Sequence, residues 1–160
     1  MKFRELQALR PKRPLVCGFT LPEVLIVIVI GTVLSIMTIP VAIRFYQSQL
    51  VNDTALTLRQ TLRRAQANAI AARNDSAFGV RIQSDEVILF QGMNYASRLT
   101  SEDEHIGIPS TVSVTSTSSE YVFSKLYATS SASGTIALIG PFGGGTASLT
   151  VASSGRIDLQ

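Results

Sequence analysis

The chain has 160 residues, enough for one modest domain plus a targeting segment. Its net charge of +3 by itself suggests a nucleic-acid binder, but the positions of the charges along the chain argue against one. Residues 1–18 hold five basic and one acidic side chain, so the remainder has nine basic against ten acidic residues, a net of −1. This balance excludes a strong basic field beyond the first segment. The one cysteine, Cys17, lies in that segment, which excludes a disulfide framework or a cysteine metal site in the rest.

Residues 1–18 are predicted to be a cleaved leader, because this charged, proline-broken segment stops at Gly18 and a long apolar run follows. An ordinary secretory signal is cut after its apolar stretch, whereas the plausible cut here, between Gly18 and Phe19, precedes it. The apolar segment should therefore stay in the mature protein. Cleavage would also place a free amine on Phe19, about one or two helical turns from the Glu23 carboxylate.

Residues 19–43 are predicted to form a transmembrane helix. About twenty apolar residues at ~1.5 Å each span the ~30 Å hydrocarbon core of a bilayer. Five basic residues precede the run and only Arg44 follows closely, so the N-terminus should stay cytoplasmic and the C-terminal part should reach the periplasm. Pro40 removes a backbone donor, which predicts either a simple kink or a functional joint in the helix.

Glu23 is an acid at the start of an apolar run. A charge at mid-bilayer costs about 2.5–3.5 kcal/mol, and less near an end. Glu23 is either an interfacial acid hydrated at the level of the headgroups or the partner of the Phe19 amine of a neighbouring subunit. The acid, the free amine and the retained helix occur together, which favours the ion pair. Such a pair would form only when neighbouring helices are in the correct register during assembly.

These residues closely resemble the type IV prepilins and the pseudopilins of type II secretion. The resemblance implies that Gly18 precedes the prepilin-peptidase cut, that Phe19 becomes the N-methylated terminus, and that Glu23 is the assembly glutamate. It also implies several partners: the prepilin peptidase/N-methyltransferase, an inner-membrane assembly platform, other minor and major pseudopilins or pilins, and membrane lipid.

Residues 44–75 are predicted to continue the transmembrane helix as an amphipathic half, as in the family, and the two halves together are called the spine helix. Seven apolar residues recur at spacings of three and four and form one stripe, and Asn74-Asp75-Ser76 ends the pattern. The stripe consists of Val51, Ala55, Leu58, Leu62, Ala65, Ala69 and Ala72.

Residues 76–160 are predicted to form a β-rich periplasmic head. Short strand signals alternate with Ser, Thr and Gly, and no second long helical pattern supplies parallel crossovers, so the sheet should be antiparallel. The fold class is therefore α+β, a pilin-like helix packed on a β-sheet domain. The predicted strands are 77–82, 86–91, 111–117, 121–126, 135–139, 147–151 and 156–159.

The helix end 64–70 and the terminal strand 153–157 resemble those of the H-type minor pseudopilins and related type IV minor pilins. This resemblance implies a low-copy structural subunit that helps start or cap a pilus-like fibre, with type II secretion favoured. The alternatives are a minor pilin of type IV pilus biogenesis and a DNA-binding minor pilin of natural transformation. DNA-binding relatives carry a Gly-Arg-x-Arg pattern; here Arg156 keeps the first arginine, but Asp158 occupies the second position and argues against DNA.

Two segments contain residue types found in binding sites but lack the pattern that such a site needs. His105 ends the acidic run 101–105, which is predicted to be a solvated loop rather than a metal site. The glycine-rich loop 140–146 lacks the lysine of a phosphate-binding loop and is followed by strand signals, so it should be a flexible hairpin loop or a surface for a partner. With no convergent acid, base and nucleophile, the sequence predicts no enzyme activity, no cofactor and no metal.

Overall fold

The structure is a computed structural model that describes residues 18–160. The described residues fall into two compact units, 18–38 and 39–160. The first unit consists of three residues without regular secondary structure followed by the N-terminal part of helix α1, Leu21–Ile70. The apolar stretch near the start of α1 is long and apolar enough to cross a membrane, and none of it is buried.

The C-terminal part of α1 is the core helix of the second unit. Six of the seven predicted stripe residues, from Val51 to Ala69, are buried, which confirms the helical stripe. Their spacing of three and four places them on one face of the helix, where they form a single cluster with apolar residues of both sheets.

The predicted helix end was wrong by several residues. Helix α1 stops at Ile70, Ala72 is in the left-handed region with φ 47°, and a short 3₁₀ turn follows over Arg73–Asp75. A left-handed residue cannot continue a right-handed helix. The carbonyl of Ala69 accepts a backbone hydrogen bond from Leu126 at 2.9 Å, so a distant loop caps the helix.

The head contains two antiparallel four-stranded sheets. The strands are β1 Phe78–Ile82, β2 Glu86–Gln91, β3 Glu104–Gly107, β4 Ser113–Ser116, β5 Glu120–Phe123, β6 Gly134–Ile139, β7 Thr146–Val151 and β8 Ile157–Leu159. The first sheet has the order β3-β2-β1-β5, and the second has the order β4-β6-β7-β8.

Both sheets turn one face toward the α1 stripe. In the first sheet Val80 pairs with Leu89, and in the second Ile136 pairs with Leu149; all four belong to the core cluster. Because side chains alternate across a strand, this register sends every second residue into the core. The predicted α+β fold class, a long helix packed on antiparallel sheet, is confirmed.

The outer face of the first sheet is covered as well. Ile88 and Phe90 are buried although neither belongs to the core cluster. The Phe90 ring lies over Gly79, where an added Cβ would come within 2.4 Å of the ring, so only glycine fits beneath it. Tyr95 packs edge-on against Phe90 with centroids 5.5 Å apart, so the segment after β2 closes over this face.

Candidate processing and assembly site

The predicted cut lies in an accessible segment. Gly18, Phe19 and Thr20 are exposed and precede the helix. Within residues 18–160, nothing lies within 4 Å of a Cβ added to Gly18. The packing of the described chain therefore does not require glycine at this position, so any requirement for it must come from the protein that reads the site.

Glu23 caps the first turn of α1. Its Oε2 lies 3.4 Å from the backbone nitrogen of Thr20, and its own backbone N–H donates to the Thr20 carbonyl at 3.1 Å. A threonine followed three residues later by a glutamate is the capping-box pattern, and a negative charge there also complements the helix dipole. The sequence contained this signal, but the prediction weighed Glu23 only as a membrane acid or an intersubunit partner.

The exposed contact leaves the Glu23 carboxylate accessible. The Phe19 side chain is 80% exposed, so both partners of the predicted ion pair lie on the surface of the subunit. Since Phe19 directly precedes Thr20, cleavage would add a positive charge beside a carboxylate that already lies at the helix N-terminus. An exposed hydrogen bond of this length contributes little to stability, so the carboxylate is not committed to this contact.

The hydroxyl groups of the apolar helix are satisfied within the helix. Thr32 donates to the Val29 carbonyl, Ser35 to Gly31 and Thr38 to Leu34, each at 2.8 Å. These bonds remove the cost of placing free hydroxyl donors in lipid. Helix α1 runs on through Pro40 without ending, and a functional joint there stays a prediction.

Arg156, the possible DNA contact, is paired within its own strand region. Its Nε donates to Oδ2 of Asp158 at 2.7 Å, although the arginine side chain is 75% exposed. The acid that departs from the DNA-binding pattern therefore neutralises the remaining arginine, which weakens attraction to phosphate.

The acidic run 101–105 is not the solvated loop that the sequence predicted. Glu104 and His105 are in β3, and strands pair by contacts that are distant in sequence. Each acidic residue of the run, and His105, has a partner: Glu102–Arg73 at 3.9 Å, Asp103–Arg98 at 2.6 Å, Glu104–Arg64 at 2.7 Å and His105–Glu86 at 2.9 Å. The part of the chain that the structure describes contains no group of three or more residues able to hold a metal.

Two of these pairs raise the pKa of their arginine. The hydrogen bonds from Arg64 to Glu104 raise the pKa of that guanidinium, and the hydrogen bond to Asp103 raises the pKa of Arg98. Arg98 also lies 3.7 Å from the Tyr95 ring centroid, a cation–π distance. These charges hold β3 and the preceding segment against the helix and the sheet.

The two segments behind the minor-pseudopilin resemblance meet in space. The Gln66 side-chain amide donates to the Gly155 carbonyl at 2.9 Å, joining α1 to the turn before β8. Gly155 has φ +84°, and an added Cβ would lie 2.2 Å from the Ala128 carbonyl oxygen. Glycine is required there for both conformation and space.

Comparison with known proteins agrees with this geometry. A family model described as "Prokaryotic N-terminal methylation motif" matches residues 13–39. The described part of the chain therefore joins a prepilin methylation motif to a pilin-like fold of spine helix and antiparallel sheets, and the apolar helix fits a single-pass inner-membrane anchor with a soluble head.

Among solved structures, the fold is similar to that of the minor pseudopilin EpsH from the type 2 secretion system of Vibrio cholerae. The TM-score is 0.54 at 13% sequence identity, and the match covers 69% of this chain and 95% of that chain. A search of curated proteins finds no significant match.

Proposed function

We propose that this protein is a minor pseudopilin, a structural subunit that helps initiate or cap a pilus-like fibre for type II protein secretion. The observation that carries the proposal is that the helix bearing the methylation motif, Leu21–Ile70, is also the core helix of a head with the EpsH-like fold. A simple membrane anchor needs no such continuity.

In this proposal the chain inserts with its N-terminus in the cytoplasm and its head in the periplasm. The prepilin peptidase cuts between Gly18 and Phe19 and methylates the new terminus. The positive Phe19 amine then pairs with Glu23 of an adjacent subunit in low dielectric, where mispairing leaves a buried charge uncompensated. The assembly platform and other pseudopilins are the partners, and the role is structural rather than enzymatic.

The cap on α1 supports this use of Glu23. A carboxylate that already faces the backbone N–H of Thr20 is held at the end of the helix where the amine forms. The exposed Phe19 side chain is accessible to a neighbouring helix. Domain limits follow the same scheme: a leader over 1–18, the assembly helix over 19–43, its amphipathic continuation from 44 to the helix end at Ile70, a short connection to 75 and the head over 76–160.

A strain from which this chain has been deleted tests the proposal. We expect loss of a type II secretion substrate from the medium, with twitching motility and DNA uptake unchanged, and recovery when the chain is restored. Loss of motility with normal secretion would instead indicate a type IV pilus minor pilin. Loss of DNA uptake alone would indicate the transformation subunit.

A further inference from the structure

An apolar pocket at one end of the second unit joins the apolar run to the head. One wall is α1, including Ala42 and Ile43, the last residues of the run. The opposite wall comes from two head loops and includes Thr111 and Pro141. The same space therefore touches residues that lipid must surround and residues that belong to the β domain.

The turn of α1 beside this pocket, to which the lining residue Tyr46 belongs, has the composition of a membrane–water boundary. Phe45 and Tyr46 are 66% and 68% exposed, and Arg44 precedes them. Aromatic side chains concentrate at the headgroup level of bilayers, where arginine extends its charge into water. Exposed aromatic residues directly after an apolar run therefore mark the level of the bilayer surface.

The loop that supplies Pro141 is held against the helix at this level. Gly140 and Gly144 allow its backbone to approach α1 closely: a Cβ on Gly140 would lie 2.9 Å from Val51 Cγ2, and one on Gly144 would lie 2.5 Å from Gln47 Cβ. Gln47 is four residues beyond Ile43, which corresponds to about 6 Å along a helix. Pro141 is thus fixed about one turn above the apolar run.

We infer that this end of the second unit, where Thr111 and Pro141 line the pocket together with Tyr46 of α1, rests on the surface of the bilayer and binds lipid. The occupant of the pocket is lipid from the boundary between headgroups and acyl chains, because Ala42 and Ile43, the last residues of the apolar run, line it. The inference rests on the membrane insertion in the proposed function, but not on fibre assembly. Lipid contact would orient the head before the subunit leaves the membrane.

The chain contains no tryptophan, so a single introduced tryptophan reports on one position. The full chain is reconstituted in phosphatidylcholine vesicles, with or without bromine on the acyl chains near the carbonyl. Pro141→Trp and Thr111→Trp probe the inferred contact. Val33→Trp reports insertion of the helix. Tyr127→Trp is the matched solvent control, because Tyr127 is 83% exposed and lies in the loop that caps the C-terminal end of α1.

We expect brominated lipid to quench Val33→Trp, Pro141→Trp and Thr111→Trp and to leave Tyr127→Trp unchanged, independently of the protein-to-lipid ratio. Quenching at Val33 without quenching at positions 111 and 141 would overturn the lipid contact and leave the proposed function intact. A blue shift of the tryptophan emission of Thr111→Trp and Pro141→Trp that appears only at high protein density, without bromine quenching, would indicate that a second copy of this chain occupies the pocket. Absence of quenching at Val33 would remove both the contact and the membrane insertion.

Discussion

The side-chain amide of Gln66 donates a 2.9 Å hydrogen bond to the carbonyl of Gly155, joining the C-terminal end of the spine helix to the turn that begins the last strand. The two residues are 89 positions apart in sequence. The turn is closed by a backbone bond from Ala152 to Arg156 at 2.9 Å, so the helix, β7 and β8 meet at this point.

Gly155→Ala is expected to destabilise the head by about 2–4 kcal/mol, since it adds left-handed backbone strain to a clash with the Ala128 carbonyl. Thermal unfolding followed by circular dichroism measures the loss. Gly107→Ala is the control, because no described atom lies within 4 Å of its added Cβ and its φ is ordinary. Equal melting temperatures for the two variants would contradict the role given to Gly155.

Gly18→Leu should leave the leader attached, because a branched side chain would block the peptidase while meeting no described atom of this chain. Intact-mass analysis of membrane-extracted protein distinguishes the two lengths. Gly31→Leu, also in open space, should be processed normally. Recovery of Gly18→Leu at mature mass would show that the cut is elsewhere.

Two substitutions separate the roles of Glu23. Glu23→Gln keeps a side-chain oxygen for the cap, since glutamine also serves in a capping box, but removes the charge needed for the amine pair. Glu23→Ala removes both. We expect neither variant to enter sheared filaments, while both insert in the membrane at wild-type levels. If Glu23→Gln assembles normally and Glu23→Ala does not, the cap rather than the ion pair is the functional contact.

Adjacent acids of the 101–105 run should differ in their effect on stability. The Glu104 side chain is 44% exposed and pairs with an exposed Arg64, so Glu104→Gln should cost at most about 1 kcal/mol. The Asp103 side chain is only 5% exposed, and Asp103→Asn should lower the midpoint of urea unfolding clearly more. The reverse order would mean that β3 is held mainly by its surface charges.

Asp158→Asn should free Arg156 and strengthen binding to duplex DNA at low salt, because the carboxylate that neutralises the arginine is lost. Fluorescence anisotropy of labelled duplex measures this, with Arg156→Ala as the control. Wild-type protein is expected to bind weakly and alike with or without Arg156. Tight, salt-sensitive wild-type binding that Arg156→Ala abolishes would favour the transformation subunit.

Local patterns predicted much of the fold and the motif of the candidate site. The apolar run, the stripe from Val51 to Ala69 and the hairpin of β1 and β2 depend on periodicity and turn residues a few positions apart. The same holds for the Gly18–Phe19 junction and Glu23, whose significance came from their order along the chain. Even the cap from Glu23 to Thr20 is a local contact that the sequence could have predicted.

Other features depended on distant partners. Glu104 and His105 became part of β3 because β2 supplies the hydrogen bonds of that strand. Glu102 and Glu104 are paired with arginines of a distant part of the chain. The helix ended at Ile70 because a left-handed residue follows and the Leu126 N–H caps Ala69. No pattern near residue 70 contained that information.

The sequence by itself therefore determined the methylation motif, the apolar helix and the order of one long helix followed by short strands, because these follow from chemistry and periodicity within a few residues. Tertiary structure alone decided the division into two sheets, the pairing of Arg64 with Glu104, and the pocket between the end of the apolar run and the head loops. Those depend on which distant segments pack together, and packing is a property of the whole core rather than of any one segment.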